Sequence, residues 1–437
     1  MTDQTSNYDK HSRHVLSKLD FYFDGAENDP LVIDSSNYLI DYQIVEETGA
    51  EDKNPLGAIS ANELTITLAN FNNIFSPSNV ESPYYKKIKT GLMIKVYIKE
   101  EEDIEWLPFG VYFVSDWTSK MGSSTAFITC YDIMQELLLS PIPDYEIKEK
   151  VTFTQYIRYI LNMLGFTNID VDETLTEIIP YGFPAADNVP TLVQTLAEGA
   201  ICIIMADRVG KIVVKKLQHG TIRAKLTDTN QIKSLNSEQS IVKTYNGVHL
   251  TYVLPQLSDP KEILRVNNFT IPSGEFTHAV IKYPNNIFKV YSASLIGSKR
   301  SNLVTYSTTH FGIVVTTYSG SDEGEETSLS ITGTNLDLLS QELKDNEINM
   351  LQIQNSYIQT TDYAIQYKDK LNKFVHVDIP ILTAQIRGNP NLVVGDTVHV
   401  NSEKYKLDFT GIIKRATYKY AGNLTCELSL LNAEVVS

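Results

Sequence analysis

The feature that most constrains this chain is a pattern of glycines and strand residues that occurs once near each end. Gly91-Leu-Met-Ile-Lys-Val96 corresponds to Gly395-Asp-Thr-Val-His-Val400, each a glycine that starts a strand. Phe109-Gly110-Val111-Tyr112-Phe113-Val114 then corresponds to Phe409-Thr410-Gly411-Ile412-Ile413, again with a glycine feeding a strand. Gly122 and Gly422 fall twelve and eleven residues after Gly110 and Gly411, where a hairpin has to turn, and Thr129-Cys130 and Thr425-Cys426 lie on the returning strands. A chain that carries one β module twice can offer 2n similar surfaces from a ring of n copies. Glycine-punctuated hairpins also arise independently, so a chance likeness is the competing explanation.

Between and around these glycines the side chains alternate. Leu64, Ile66 and Leu68 share one face and Thr65 and Thr67 the other, the period of a strand with one wet side. Leu92 to Ile98, Gly110 to Trp117 and Thr125 to Tyr131 continue the pattern. Tyrosine, at 25 residues, is interleaved with Val, Ile and Thr, a composition that suits half-buried pleated surfaces. At 437 residues the chain is too long for a single core, so several domains are expected.

The period changes after the first β unit. Phe153, Tyr156, Ile157, Ile160, Leu161 and Leu164 recur at intervals of three and four, with Thr152 and Gln155 as a capping box and Gly165 as the C-terminal cap. A second helix opens at Pro190 and runs through Leu192, Leu196 and Ala197 into strands at Ile201 to Met205 and Lys211 to Leu217, joined by a turn over Asp207 to Gly210. Thr221 to Thr334 reads as strands, with a polar stretch after it. Tyr357, Ala364 and Leu371 then suggest one longer helix before the strands of Val377 to Leu431. The expected organisation is mainly β with an α+β insert. It comprises an arm over 1–18, a first β-barrel over 19–145, a small α+β domain over 146–220, a central β-rich domain over 221–345, and a helix plus a second, related β-barrel over 346–437.

The 53 acidic against 37 basic residues leave a net charge of -16, the wrong sign for a chain that holds duplex DNA through its phosphates. Cys130, Cys202 and Cys426 show no CxxC spacing, so neither a disulfide scaffold nor a thiolate zinc site is signalled, and synthesis in a reducing cytoplasm is expected. Met1 to Lys18 lacks the apolar stretch of a secretion signal, and no run approaches a membrane span, so no membrane anchor is expected.

The sequence contains no Walker loop, GxSxG elbow, HExxH helix or dinucleotide fingerprint, so no enzymatic activity, catalytic residue or cofactor is expected. His11 and His14 beside Arg13 lack further metal ligands; Asp170, Asp172 and Glu173 lack the glycine and glutamate of an EF-hand. Neither group is assigned a metal. The carboxylates Asp322, Glu323, Glu325 and Glu326 read as a loop tip, because flexible glycine neighbours offer nothing to raise a pKa. Trp106, Trp117 and Tyr112 are the residues a sugar-stacking site would use, against the simpler reading of packing within a barrel.

The segment Gly388-Asn-Pro-Asn-Leu-Val-Val-Gly395-Asp396-Thr-Val-His-Val, with Gly411-Ile-Ile-Lys and Tyr418-Lys-Tyr-Ala-Gly422, resembles the closing barrel of phage tail and baseplate hub proteins. Phe109-Gly-Val-Tyr-Phe-Val and Tyr131-Asp132 resemble the matching part of that family's first barrel, and the three helices fall at similar places. The resemblance implies a homotrimeric ring in the virion whose two barrels per chain present six similar units to the sixfold tail tube protein. Its other face stays threefold for a tip or spike protein, with other baseplate proteins as further partners and a bore that lets DNA pass on ejection. Gly91, Gly110, Gly122, Gly395, Gly411 and Gly422 are the expected structural turns. The chain reaches Ser437 soon after the second barrel, so any lytic domain is expected on a separate protein. The alternatives are a peripheral baseplate arm and a carbohydrate- or receptor-binding module.

Overall fold

The structure is a computed structural model of the whole chain, described over residues 14–23, 29–48, 56–57, 59–120, 123–143, 146–183, 186–217, 220–229, 231–238, 245–272, 277–282, 287–299, 301–308, 312–319, 325–347, 349–375 and 381–432. It is mainly β, in several sheets and several domains. The first module contains β1 (Val15–Tyr22), β2 (Leu31–Asp34), β3 (Leu39–Glu47), β4 (Glu63–Ala69), β5 (Met93–Glu100), β6 (Leu107–Ser119) and β7 (Thr125–Tyr131), followed by helix α1 (Ile133–Leu139). The alternation of β4 and β5 puts Leu64, Ile66, Leu68, Ile94, Val96 and Ile98 in the core. The sheet curls until its outer strands meet through side chains, Ser17 of β1 lying 2.9 Å from the Tyr42 hydroxyl of β3.

The α+β part follows as β8 (Lys148–Thr152), α2 (Phe153–Met163), β9 (Ile169–Val171), β10 (Ile178–Gly182), α3 (Val189–Ala200), β11 (Cys202–Ala206) and β12 (Ile212–Lys216). The capping box is made from both sides: Gln155 N–H donates to Thr152 Oγ1 at 3.2 Å and Thr152 N–H to Gln155 Oε1 at 3.0 Å. Gly165 takes φ 92° beyond the helix.

Next come β13 (Ile222–Thr227) and β14 (Ile232–Glu238), which the sequence places in the central domain. They hydrogen-bond instead to the C-terminal strands, β13 to β24 (Thr397–Ser402) and β14 to β23 (Ile381–Arg387). The second module therefore consists of β13, β14, β23, β24, β25 (Leu407–Tyr420) and β26 (Leu424–Asn432), with everything from β15 (Gly247–Leu257) to helix α4 (Thr361–Val375) inserted between its second and third strands. A strand's partner depends on distant backbone, so local pattern does not reveal the interruption.

The insert forms β16 (Lys261–Ile271), β17 (Thr277–Lys282), β18 (Ile287–Ile296), β19 (Ser301–Thr308), β20 (Gly312–Ser319), β21 (Glu325–Lys344) and β22 (Met350–Asn355). Ile313, Val315, Leu329 and Ile331 make a small separate core between the β17-β20-β19 sheet and the sheet of β16, β18 and the first half of β21. The stretch that reads as polar, after Thr334, opens with the second half of β21, a 20-residue strand that there pairs with β15 and exposes Ser340 to Glu342. Tyr357 lies before α4, not within it. Hydroxyls of Tyr363 and Tyr367 donate to Gly199 O at 2.6 Å and Glu198 O at 2.9 Å, satisfying carbonyls at the end of α3 and binding α4 to the α+β part.

Candidate functional site: the seam between the sheet modules

Six strands of the first module, all but β2, match the six of the second. Their orders are β3-β4-β7-β6-β5-β1 and β14-β23-β26-β25-β24-β13, differing in that β1 runs antiparallel to β5 while β13 runs parallel to β24. Gly91 N–H donates to Val114 O at 2.7 Å and Gly395 N–H to Ile413 O at 2.8 Å; Val114 N–H and Ile413 N–H return bonds to Leu92 O and Asp396 O, both at 2.9 Å. A bulge follows Val114 in β6 and Ile413 in β25, and another follows Leu39 in β3 and Ile232 in β14. Because a bulge fixes which side chains face the core from that point on, two shared bulges give the modules one register.

That register corrects the alignment made from glycines. It sets Gly110 against Phe409 and Tyr112 against Gly411, and Thr425 against Thr125, not Thr129. A Cβ on Gly110 would lie 2.2 Å from the Tyr112 ring, and one on Gly411 would lie 2.5 Å from the Phe409 ring. Each module thus pairs one glycine with one aromatic ring two residues away, in opposite order. Gly91, Gly395 and Gly422 have positive φ of 78°, 87° and 73° at turns. Gly122 lies outside the described residues.

The modules join along β3 and the far half of β25, which pair antiparallel from Arg415 opposite Glu47 to Tyr420 opposite Tyr42. The Tyr42 and Tyr420 rings stack with centroids 5.3 Å apart. Across this seam Arg208, in the β11–β12 turn, binds Glu46 of β3 in a fork, Nε to Oε1 at 2.7 Å and Nη2 to Oε2 at 2.9 Å. Its Nη1 donates to Pro390 O and its Nη2 to Leu392 O at 2.8 Å, while the guanidinium lies 4.5 Å from the centre of the Phe109 ring and 5.3 Å from that of Tyr418. The Arg208 and Glu46 side chains are 13% and 7% exposed. Burial alone would lower the arginine pKa, but Glu46 and the Tyr418 hydroxyl more than reverse this and hold it above its ordinary value. One arginine of the α+β part therefore ties both modules together. In the sequence it is a lone basic residue in a turn, with nothing to distinguish it from a solvated one.

Asp132 caps α1 near the same seam, accepting from Met134 N–H at 3.0 Å. Burial pushes its carboxyl from 3.8 up to about 7; hydrogen bonds from Met134 and Asn62 oppose this in part and the charge of Glu46 adds to it. The folded chain then holds this proton more tightly than the unfolded chain. The stabilisation is fully present below the unfolded pKa near 4 and is lost as pH rises through about 7. Asp132→Asn keeps a capping acceptor without the charge, and is expected to flatten the loss of stability between pH 5 and 8, gaining about 1–3 kcal/mol over the parent at pH 8. Thermal melts across that range check it; parallel pH profiles for the two proteins would contradict the assignment.

The other candidates do not converge. His14 meets Glu101 at the surface, Asp170 pairs with Lys211 at 3.0 Å, Glu173 pairs with Arg158 at 2.7 Å, and Asp172 accepts the backbone N–H groups of Thr174 and Lys216. Among the described residues no three His, Cys, Asp or Glu side chains are grouped to hold a metal ion. His11, Arg13, Asp322 and Glu323 lie outside the described residues; Glu325 accepts from Ser298 and from the Lys299 N–H. Tyr112 is buried, Trp117 donates to Phe75 O at 2.9 Å and packs edge-on against Phe21, and Trp106 lies under Lys18 and Lys99. The three rings form no common platform. Among the described residues no helix is long and apolar enough to cross a membrane.

The chain is similar in structure to the 43 kDa tail protein of prophage MuSo2 from Shewanella oneidensis, with a TM-score of 0.54 and 14% identity over 95% of this chain and 98% of that one. It is equally similar to a tail protein from Neisseria meningitidis MC58, with a TM-score of 0.54 and 9% identity over 95% and 96% of the two chains. No protein-family model and no curated protein matches the sequence. The likeness is one of fold, and it extends over nearly the whole length of both chains.

Proposed function

We propose that this chain is a structural protein of a phage tail, and within it the baseplate hub: a homotrimer that joins the sixfold tube to a threefold tip and leaves a passage for DNA. The observation that carries this reading is the repeat itself, two modules with the same strand order and the same two bulges, held side by side by the β3–β25 seam. Three such chains offer six near-equivalent modules to one neighbour, while the unrepeated α+β part and β lobe keep threefold symmetry for the other. The net charge of -16 is compatible with a bore that repels DNA and does not hold it. The adjoining tube, tip and other baseplate proteins are then its partners and the virion its place of work.

Light scattering of the purified chain, with class-averaged images of the particles, tests this. The expected result is a mass three times the 49.2 kDa of the chain and a closed ring with six lobes on one face. A monomer or dimer that still binds baseplate proteins would favour the peripheral arm, and cleavage or retention of host wall glycans would favour the carbohydrate-binding alternative.

A further inference from the structure

The β3–β25 seam has a counterpart within the same chain that is left unmade. In the shared register β14 stands where β3 stands, and the half of β6 beyond Val114 stands where the far half of β25 stands. The edge of β3 that β14 matches is covered by β25, and the edge of β25 that β6 matches is covered by β3. Among the described residues, β14 is instead the last strand of the 13-stranded sheet, and β6 beyond Val114 pairs with β7 only. Exposure follows the same division. Ser115 and Thr118 are exposed, whereas their equivalents Lys414 and Thr417 are buried and half-buried. An open strand edge with unsatisfied N–H and C=O groups is a template for a further strand.

We propose that a second copy of this chain supplies that strand: β14 of one protomer adds antiparallel to the far half of β6 of the next, repeating between chains the seam each chain already contains. Such a contact is head-to-tail, so it continues from copy to copy until the ring closes. The number of copies, three, rests on the hub reading above. The register follows from the seam within the chain. Gln43 lies opposite Lys419, Ile44 opposite Tyr418 and Val45 opposite Thr417, which places Asn236 of one copy opposite Lys120 of its neighbour, Ser237 opposite Ser119 and Glu238 opposite Thr118. Thr48 N–H donates to Lys414 O at 3.0 Å, so bonded pairs alternate from there and Gln43/Lys419 is a non-bonded pair, the kind whose side chains approach closest. Asn236 and Lys120 inherit that geometry, and both are exposed in the single chain.

Cysteine cross-linking of the full-length chain tests the pairing. Lys120→Cys and Asn236→Cys are introduced together, and the natural Cys130, Cys202 and Cys426 are all buried. Six strands separate the two positions within one sheet, so a disulfide between them joins different chains. After oxidation, a non-reducing gel is expected to show covalent dimers and trimers and then stop, with Lys120→Cys/Ser234→Cys, two residues out of register, linking at least tenfold less. Hydrogen exchange of the unmodified chain provides a second readout: the amides of Ser119 and Ser237, the bonded pair of this register, are expected to be protected at least tenfold in the assembly relative to dilute monomer. A trimer by mass that neither cross-links nor protects those amides would overturn the strand pairing and leave the hub standing. A chain monomeric at every concentration would overturn both.

Discussion

Replacing Arg208 with methionine is expected to lower the unfolding free energy by about 3–5 kcal/mol, the range found when one member of a buried ion pair is removed. Methionine fills much of the space between the Phe109 and Tyr418 rings but leaves the buried Glu46 carboxylate without its cation and the Pro390 and Leu392 carbonyls without their donor. Most of the loss comes from that stranded charge, so Arg208→Met with Glu46→Leu is expected to recover at least half of it. Denaturant titration of the parent, both single variants and the double variant measures the coupling. Additive losses would mean that Arg208 and Glu46 act independently. Because Arg208 belongs to the α+β part and its partners belong to both modules, the hub proposed above predicts in addition a lower yield of trimer for the single variant, which analytical ultracentrifugation reads.

The second large effect concerns the glycine and ring that the modules carry in opposite order. Gly110→Ala is expected to cost about 3–5 kcal/mol, combining an unfavourable backbone with overpacking. Its φ is 145°, where side chains rarely settle, and the new methyl carbon would lie 2.2 Å from the Tyr112 ring. Tyr112→Gly removes the ring. In that background the alanine is expected to cost only about 1–2 kcal/mol, leaving the backbone term. A cycle in which Gly110→Ala costs the same with and without Tyr112 would show that the close approach contributes nothing.

The sequence made the helices legible because their signals are local. The stripe from Phe153 to Leu164, the Thr152 and Gln155 box and the Gly165 cap all lie within one run of residues, and each is found in place. Strands were legible as strands wherever one face is wet, as in β4. The second half of β21 was missed because alternation fades where it is exposed. The repeat was visible through glycine, but its register was not. Gly110 and Gly411 look equivalent as letters, yet the ring that one makes room for stands where the other sits.

The seam left almost no mark in the sequence. Glu46, Arg208 and Tyr418 come from three distant segments, and a charge in a turn reads the same whether solvent or a carboxylate awaits it. By itself the sequence determined the strand and helix periods, the positions of the caps and turns, and the presence of two similar β units, because these depend on neighbours along the chain. Only the tertiary structure decided that β13 and β14 complete the second module across the insert, that β3 pairs with β25, and that Arg208 is buried between them. These depend on which backbone edges and which charges become neighbours in space, and a side chain's energy there is set by partners hundreds of positions away.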